Sequence, residues 1–323
     1  MSNKPSNPYR VIYDLNYAPL TFDFGHFLAI SEARRQLSSI KSEGIHLTIL
    51  ADFYREVTDR DKITKGYEKD WRLKNIILGC CSILPTIKDI HLITDVNEVY
   101  KRPYDWPRGY NSEISETRSQ FPNFDRESKS LPCSAQNMIE MHKVGVNPSV
   151  LKASSYAKAL AKGITPKKYF TLTLRTSWLF SDRNINLDDW HKFYEFLLGE
   201  GHDVVVIADH EDYFSGKAYK GYDWEVCDAA CLNVELRMAV YEAAQLNFCS
   251  SNGPAALMYF SNAKFLQFDQ LRADHLGKNF WLKVNGIPVG ESFPWFNNLQ
   301  KLVWKDSSFE TLKEEYLAVE SSL

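Results

Sequence analysis

The chain lacks the marks of several large protein classes. Its six cysteines (Cys80, Cys81, Cys133, Cys227, Cys231 and Cys249) include no CxxC pair, and no histidine stands at zinc spacing from them. Neither a disulfide framework nor a metal site is therefore expected. No apolar run approaches the roughly 18 to 20 residues of a membrane span, and the opening stretch has none of signal-peptide length. The expectation is a cytoplasmic protein without a transmembrane segment. A block of Lys and Arg is also missing: 38 basic residues face 41 acidic ones, for a formal charge of −3. Duplex nucleic acid is not an expected partner for such a chain. Finally, there is no P-loop and no strand–GxGxxG–helix fingerprint, which counts against a P-loop kinase and a standard Rossmann dehydrogenase.

What is present is the composition of a globular protein, with 323 residues, 44% hydrophobic and 14% aromatic. At about 150 residues per domain this length suggests two domains, each able to bury a core. Short β-branched and aromatic runs alternate with stretches of helical period, the pattern of βαβ units around parallel sheets. The first set has strands at 10–15, 45–50 and 90–94 and helices at 25–40 and 71–84. From Tyr100 to Gln136 the period fails. The aromatics there (Tyr100, Tyr104, Trp106, Tyr110, Phe121 and Phe124) either pack back on the fold or contact a ligand. The second set follows a helix at 149–162, with strands at 169–174, 204–208, 246–249 and 264–268 and helices at 187–199, 232–245 and 254–261. Asn186 caps the 187–199 helix, with Asp188 and Asp189 in its first turn. A last helix over 307–319 carries Ser307 and Glu310 at capping-box spacing. The expected domains are 1–147, bearing the long loop at 100–136, and 148–305, followed by the C-terminal helix 306–323.

The strongest local signal for chemistry is the strand that runs into Ser250-Ser251-Asn252-Gly253-Pro254 and a helix. Proline suits a first helical position, glycine admits close approach to the backbone, and the helix start offers N–H groups to an anion. The competing reading is a plain tight turn. Arg175 directly follows the strand at 169–174, at the carboxyl edge where open α/β sheets present ligand contacts. A guanidinium there suits a bidentate grip on phosphate. Arg183, in the loop after it, is the second candidate cation. Asp209 follows the strand at 204–208, where a carboxylate can hold sugar hydroxyls or simply be a solvated loop charge, and Glu242 on the 232–245 helix either points toward the nucleotide or belongs to an ordinary helix face. In the first set, Asp23 and His26 stand three residues apart at a helix start. Either can serve as a general base on a hydroxyl, or Asp23 simply caps the helix.

Taken together, two Rossmann-like halves, an Arg ending the first strand of the second half and a late strand–SNGP–helix resemble the GT-B class of nucleotide-sugar glycosyltransferases. The segment 173–209, with Arg175, Arg183-Asn184-Ile185-Asn186 and Asp189-Trp190, is similar to bacterial surface-polysaccharide transferases of that class, and distantly to fucosyltransferase-like folds. The resemblance implies two domains facing each other across a cleft. Carried over residue by residue, Arg175 and the Asn252/Gly253 turn would bind the diphosphate of a nucleotide-sugar donor, with Arg183, Asp209, Glu242 and Ser251 remaining the positional donor-side candidates, and the hydroxyl of a glycan or lipid-linked glycan acceptor would meet Asp23 or His26. No separate cofactor and no metal would be needed, and transfer would be inverting. The chain departs from better-known families in having no Glu-x7-Glu and no His-x-Arg-Arg-Thr-Asp motif. A nucleotide-sugar epimerase or hydrolase, and a non-catalytic nucleotide- or sugar-binding protein, are the alternative readings.

Overall fold

The computed structural model describes residues 9–15, 18–38, 42–51, 66–95, 135–177, 181–210, 213, 221–271, 282 and 285–323. Among these, the first half of the chain forms a parallel sheet in the order β1 (Tyr9–Asp14), β2 (Ile45–Leu50), β3 (Ile87–Ile93). Helix α1 (Phe24–Leu37) connects β1 to the region before β2 and buries Phe24, Phe27, Leu28 and Ile30. The helix expected at 71–84 starts earlier and is not uniform. It runs as α2 (Gly66–Arg72), a π-helical turn over Leu73–Ile77 and α3 (Leu78–Cys81). Asn75 gives the physical reason: its side-chain amide donates to the carbonyl of Trp71 at 2.9 Å, so a side chain competes for the helical ladder.

The second half forms a parallel sheet in the order β5-β4-β6-β7-β8. Its strands are β4 (Tyr169–Thr173), β5 (Asp203–Ile207), β6 (Leu246–Cys249), β7 (Phe265–Gln267) and β8 (Gln300–Leu302). Every residue of β4 and β6 is buried, as expected for continuous apolar runs covered on both faces. The helices in order are α4 (Gln136–Lys143), α5 (Ser155–Ile164), α6 (Leu187–Gly199), α7 (Asp228–Leu232), α8 (Val234–Ala243), α9 (Ala255–Met258) and α10 (Phe309–Val319). Asn186 caps α6 by accepting from the Asp188 amide.

Three boundaries differ from expectation for identifiable reasons. The helix expected over 232–245 breaks at Asn233, whose side chain caps α8 by accepting from the Leu236 amide. The connector helix starts at Ser155 rather than Ser149, because Ser154 is the residue that caps it. The N-cap is displaced by one residue and the capping box is not formed: Ser308 caps α10 by accepting from the Thr311 amide. Ser307 is instead buried, its hydroxyl donating to Asp269 at 2.6 Å and accepting from the Trp190 indole at 2.9 Å.

The halves meet closely. Between them, the Lys152 amide donates to the Ile83 carbonyl at 2.8 Å. Two glycines mark the contact. A Cβ on Gly25 would stand 2.9 Å from Leu257, and one on Gly79 would stand 3.1 Å from Val234. One continuous core of buried side chains runs from Tyr13 through Leu257 to Tyr316.

Candidate active site

The register of the second sheet aligns three of the sequence candidates. Thr173, the last residue of β4, is paired with Ile207 of β5 and with Cys249 of β6. Arg175, Asp209 and Ser251 each stand two residues beyond those partners, so they emerge side by side at the carboxyl edge of adjacent strands. Strand spacing is about 4.8 Å, which places a cation, a carboxylate and a hydroxyl along one row where open α/β sheets take ligands.

Arg183 joins this row from the loop after β4. The Ile185 amide donates to the Arg175 carbonyl at 3.1 Å, folding the loop back over the strand end. The Arg183 guanidinium then donates to the Ser251 carbonyl at 2.7 Å and reaches the Ser251 hydroxyl at 3.4 Å. Asn252 is buried and accepts from the Ala255 amide at 3.0 Å. Two expectations for this turn are corrected. The helix that follows is only α9, four residues long, so its dipole is a weak source of anion binding. Gly253 admits a close approach, but from Phe22 of the other half, 3.1 Å from where a Cβ would stand, rather than leaving that side open to a ligand.

Asp209 sits among cations. Burial pushes its carboxyl up, but a hydrogen bond from His210 and the charges of His210, Arg237 and Arg175 outweigh that and hold it well below the usual carboxylate range. It is therefore ionised at neutral pH. Arg237, on α8, is buried and donates to the carbonyls of Ala230 (2.6 Å), Ala208 (2.9 Å) and Cys231 (3.1 Å). His210 stacks on Trp71 of α2, ring centroids 4.3 Å apart. Here the halves enclose a small cleft in which Phe22, Trp71 and Asn75 face His210, Asn233 and Arg237, with about 10 Å3 of space, room for one water.

The base candidates lie across from the Ser251 turn. Asp23 precedes α1, yet its side chain makes no capping bond; it accepts the Thr21 hydroxyl at 2.7 Å. The half-buried carboxylate is thus held by one donor at a helix start. His26 is buried, its ring 5.0 Å from Phe260 and 5.8 Å from Tyr259. Tyr259 links the two sides. Burial above all pushes its phenol up; the Asp23 charge adds to that shift and the Arg183 charge opposes it. Asp23 and Arg183 are therefore within electrostatic reach of one hydroxyl.

One donor-side candidate is placed elsewhere. Glu242 accepts from the Ala153 amide at 3.0 Å and pairs with Lys158 at 3.1 Å, so it fastens the start of α5 and does not join the strand-end row. The aromatics expected to act from the 100–136 loop lie outside the described residues. Sequence reasoning passed over Phe22, Trp71, Tyr259 and the central part of Arg237. Arg237 left a signal, since an arginine within the apolar helix VELRMAVYEA must be satisfied internally. Among the described residues, three thiols are poor nucleophiles: burial pushes Cys81 up to about 12 and raises Cys80 and Cys249 as well, which keeps them protonated. Among the described residues no group of three or more His, Cys, Asp or Glu side chains converges on a metal position.

No protein-family model matches the chain. No curated protein matches it. Solved structures do. It is similar to a glycosyl transferase family 9 protein of Veillonella parvula, with TM-score 0.51 and 9% identity over 99% of this chain and 91% of that one. It is also similar to the ADP-heptose LPS heptosyltransferase II of E. coli, with TM-score 0.54 and 10% identity over 98% and 99%. Likeness at this identity establishes the fold: the chain has the two-sheet α/β architecture of GT-B glycosyltransferases.

Proposed function

We propose that the protein is a glycosyltransferase that moves a sugar from a nucleotide-sugar donor to a glycan hydroxyl, with inversion and without a metal. The observation that carries this reading is the alignment of Arg175, Asp209 and Ser251 at one sheet edge, with Arg183 bonded to the Ser251 turn. The solved structures it resembles are named as sugar transferases, one of them using ADP-heptose, and that points to a nucleotide diphosphate at the same edge. Fold alone does not fix function; the residues supply the rest.

In this mechanism Arg175 and Arg183 grip the donor diphosphate, and Asp209 accepts hydroxyls of the ribose or sugar. Asp23 is the base. Thr21 engages one of its oxygens and leaves the other to take the proton of the acceptor hydroxyl. As that oxygen bonds to the sugar's anomeric carbon, the bond from carbon to the β-phosphate oxygen breaks. The electron pair leaves on the diphosphate, where the guanidinium charges stabilise it. Asp23 is favoured over His26 because it is less buried and rests on a single neutral donor. The domains expected at 1–147 and 148–305 would supply acceptor and donor sides respectively.

The test is release of nucleoside diphosphate from a panel of nucleotide sugars, with and without added glycan acceptors. Acceptor-dependent release by the parent chain, reduced about 100-fold or more in Asp23→Asn with donor affinity retained, is the expected result. Release without acceptor, unchanged in Asp23→Asn, would favour hydrolysis or epimerisation and overturn the transfer reading.

A further inference from the structure

The connector helix α5 carries a surface that the sugar-transfer chemistry does not use. Its inner face is small: Ala157 and Ala161 are buried where α5 lies along α8, and Glu242 and Glu235 hold its first amides at Ala153 and Ser154. Its outer face is apolar. Tyr156, Leu160 and Ile164 recur every fourth residue and form one stripe, and they are 73%, 43% and 48% exposed. Ser155, Ala159 and Gly163 are exposed beside them, so no polar side chain larger than a serine breaks that side of the helix.

The charge around the stripe is of one sign. Residues 149–168 contain Lys152, Lys158, Lys162, Lys167 and Lys168 and no Asp or Glu, in a chain whose formal charge is −3. Lys158 pairs with Glu242, while Lys152, Lys162, Lys167 and Lys168 are exposed. A second copy of the chain docked stripe to stripe would bring these lysines together, so charge complementarity calls for an anionic partner. The stripe is also convex, a helix ridge with apolar tips rather than a groove that would take a peptide.

We propose that α5 is a peripheral membrane contact, laying Tyr156, Leu160 and Ile164 into the surface of an anionic bilayer while the flanking lysines meet the lipid phosphates. The helix is too short to span; among the described residues no helix is long and apolar enough to cross a membrane. Because the remainder of the chain carries the acidic excess, an anionic surface favours this face and so orients the protein. The contact does not depend on the sugar-transfer reading, since binding to lipid requires no donor and no turnover.

The full chain should sediment with vesicles of equal parts phosphatidylcholine and phosphatidylglycerol, and much less with phosphatidylcholine alone. Binding should fall steeply between about 0.1 M and about 0.5 M salt, as the Debye length shortens. Two variants, Leu160→Glu/Ile164→Glu and Lys162→Glu/Lys167→Glu/Lys168→Glu, should each lower the bound fraction about tenfold or more. Both alter exposed positions and should melt cooperatively like the parent. Failure to sediment with the anionic vesicles, or binding indifferent to both variants, overturns the proposal. So does a change in the sedimentation coefficient of the lipid-free protein on removing the stripe, which would make the face a contact between copies of the chain.

Discussion

Phe22 lies against the backbone of Gly253, 3.1 Å from where a Cβ on that glycine would stand, while the Arg237 guanidinium lies 5.8 Å from the centre of the same ring. One aromatic from the first half thus touches both the Ser251 turn and the arginine beneath Asp209, and the residue that follows it is Asp23. Asp23 and the Ser251 turn are held in mutual register through this ring.

Adding a methyl group at Gly253 should disturb that register more than the fold. At this spacing Phe22 must give by a few tenths of an ångström, so Gly253→Ala should cost about 1 kcal/mol in stability but lower kcat with little change in donor KM. Phe22→Ala removes a buried ring and should cost about 3 kcal/mol. Urea unfolding of both variants, set beside their steady-state kinetics, checks the contrast. Equal losses of stability from the two substitutions would mean that the glycine is not adapted to the ring.

Arg237 should tolerate no ordinary replacement. Its guanidinium satisfies the carbonyls of Ala208, Ala230 and Cys231, and an ammonium cannot reproduce that fork. Arg237→Leu should lose about 3 kcal/mol or more, since buried acceptors are left unpaired, and Arg237→Lys should recover little of it. Thermal melts of the three proteins settle the point. A fully stable Arg237→Lys would show that charge rather than geometry is what the site needs.

Asp209 gives the fold a dependence on acid. Its folded-state carboxyl titrates below its ordinary value because His210, Arg237 and Arg175 outweigh the effect of burial. A depressed carboxyl contributes stability that is full above the unfolded value of about 4 and is lost as pH falls toward the folded one. Unfolding free energy should therefore drop between about pH 5 and about pH 3, and the drop should be shallower in Asp209→Asn. Parallel profiles for the two proteins would contradict the assignment.

Much of the fold could be read from local pattern. The strands at 45–50 and 246–249 and the Asn186-capped helix to Gly199 stand where the apolar runs and caps predict. Arg175, Asp209 and Ser251 were legible because strand ends can be counted, and a parallel register converts those ends into neighbours. What escaped depended on distant partners. Ser307 has the spacing of a cap but is taken by Asp269 and Trp190. Glu242 shares a helix with Arg237 yet turns to Lys158. The role of Phe22 exists only once Gly253 is brought to it, 231 positions along the chain.

The most direct test of the donor site is a calorimetric titration of the nucleoside diphosphates UDP, GDP, CDP, ADP and TDP into the parent chain, Arg175→Ala and Arg183→Ala. A guanidinium bonded to phosphate contributes enough that each loss should weaken binding at least about tenfold. One diphosphate bound by the parent, and weakened to that degree in both variants while each still melts cooperatively, is the predicted result. A diphosphate bound equally by all three proteins, or none bound by the parent, would contradict a donor site at the ends of β4, β5 and β6.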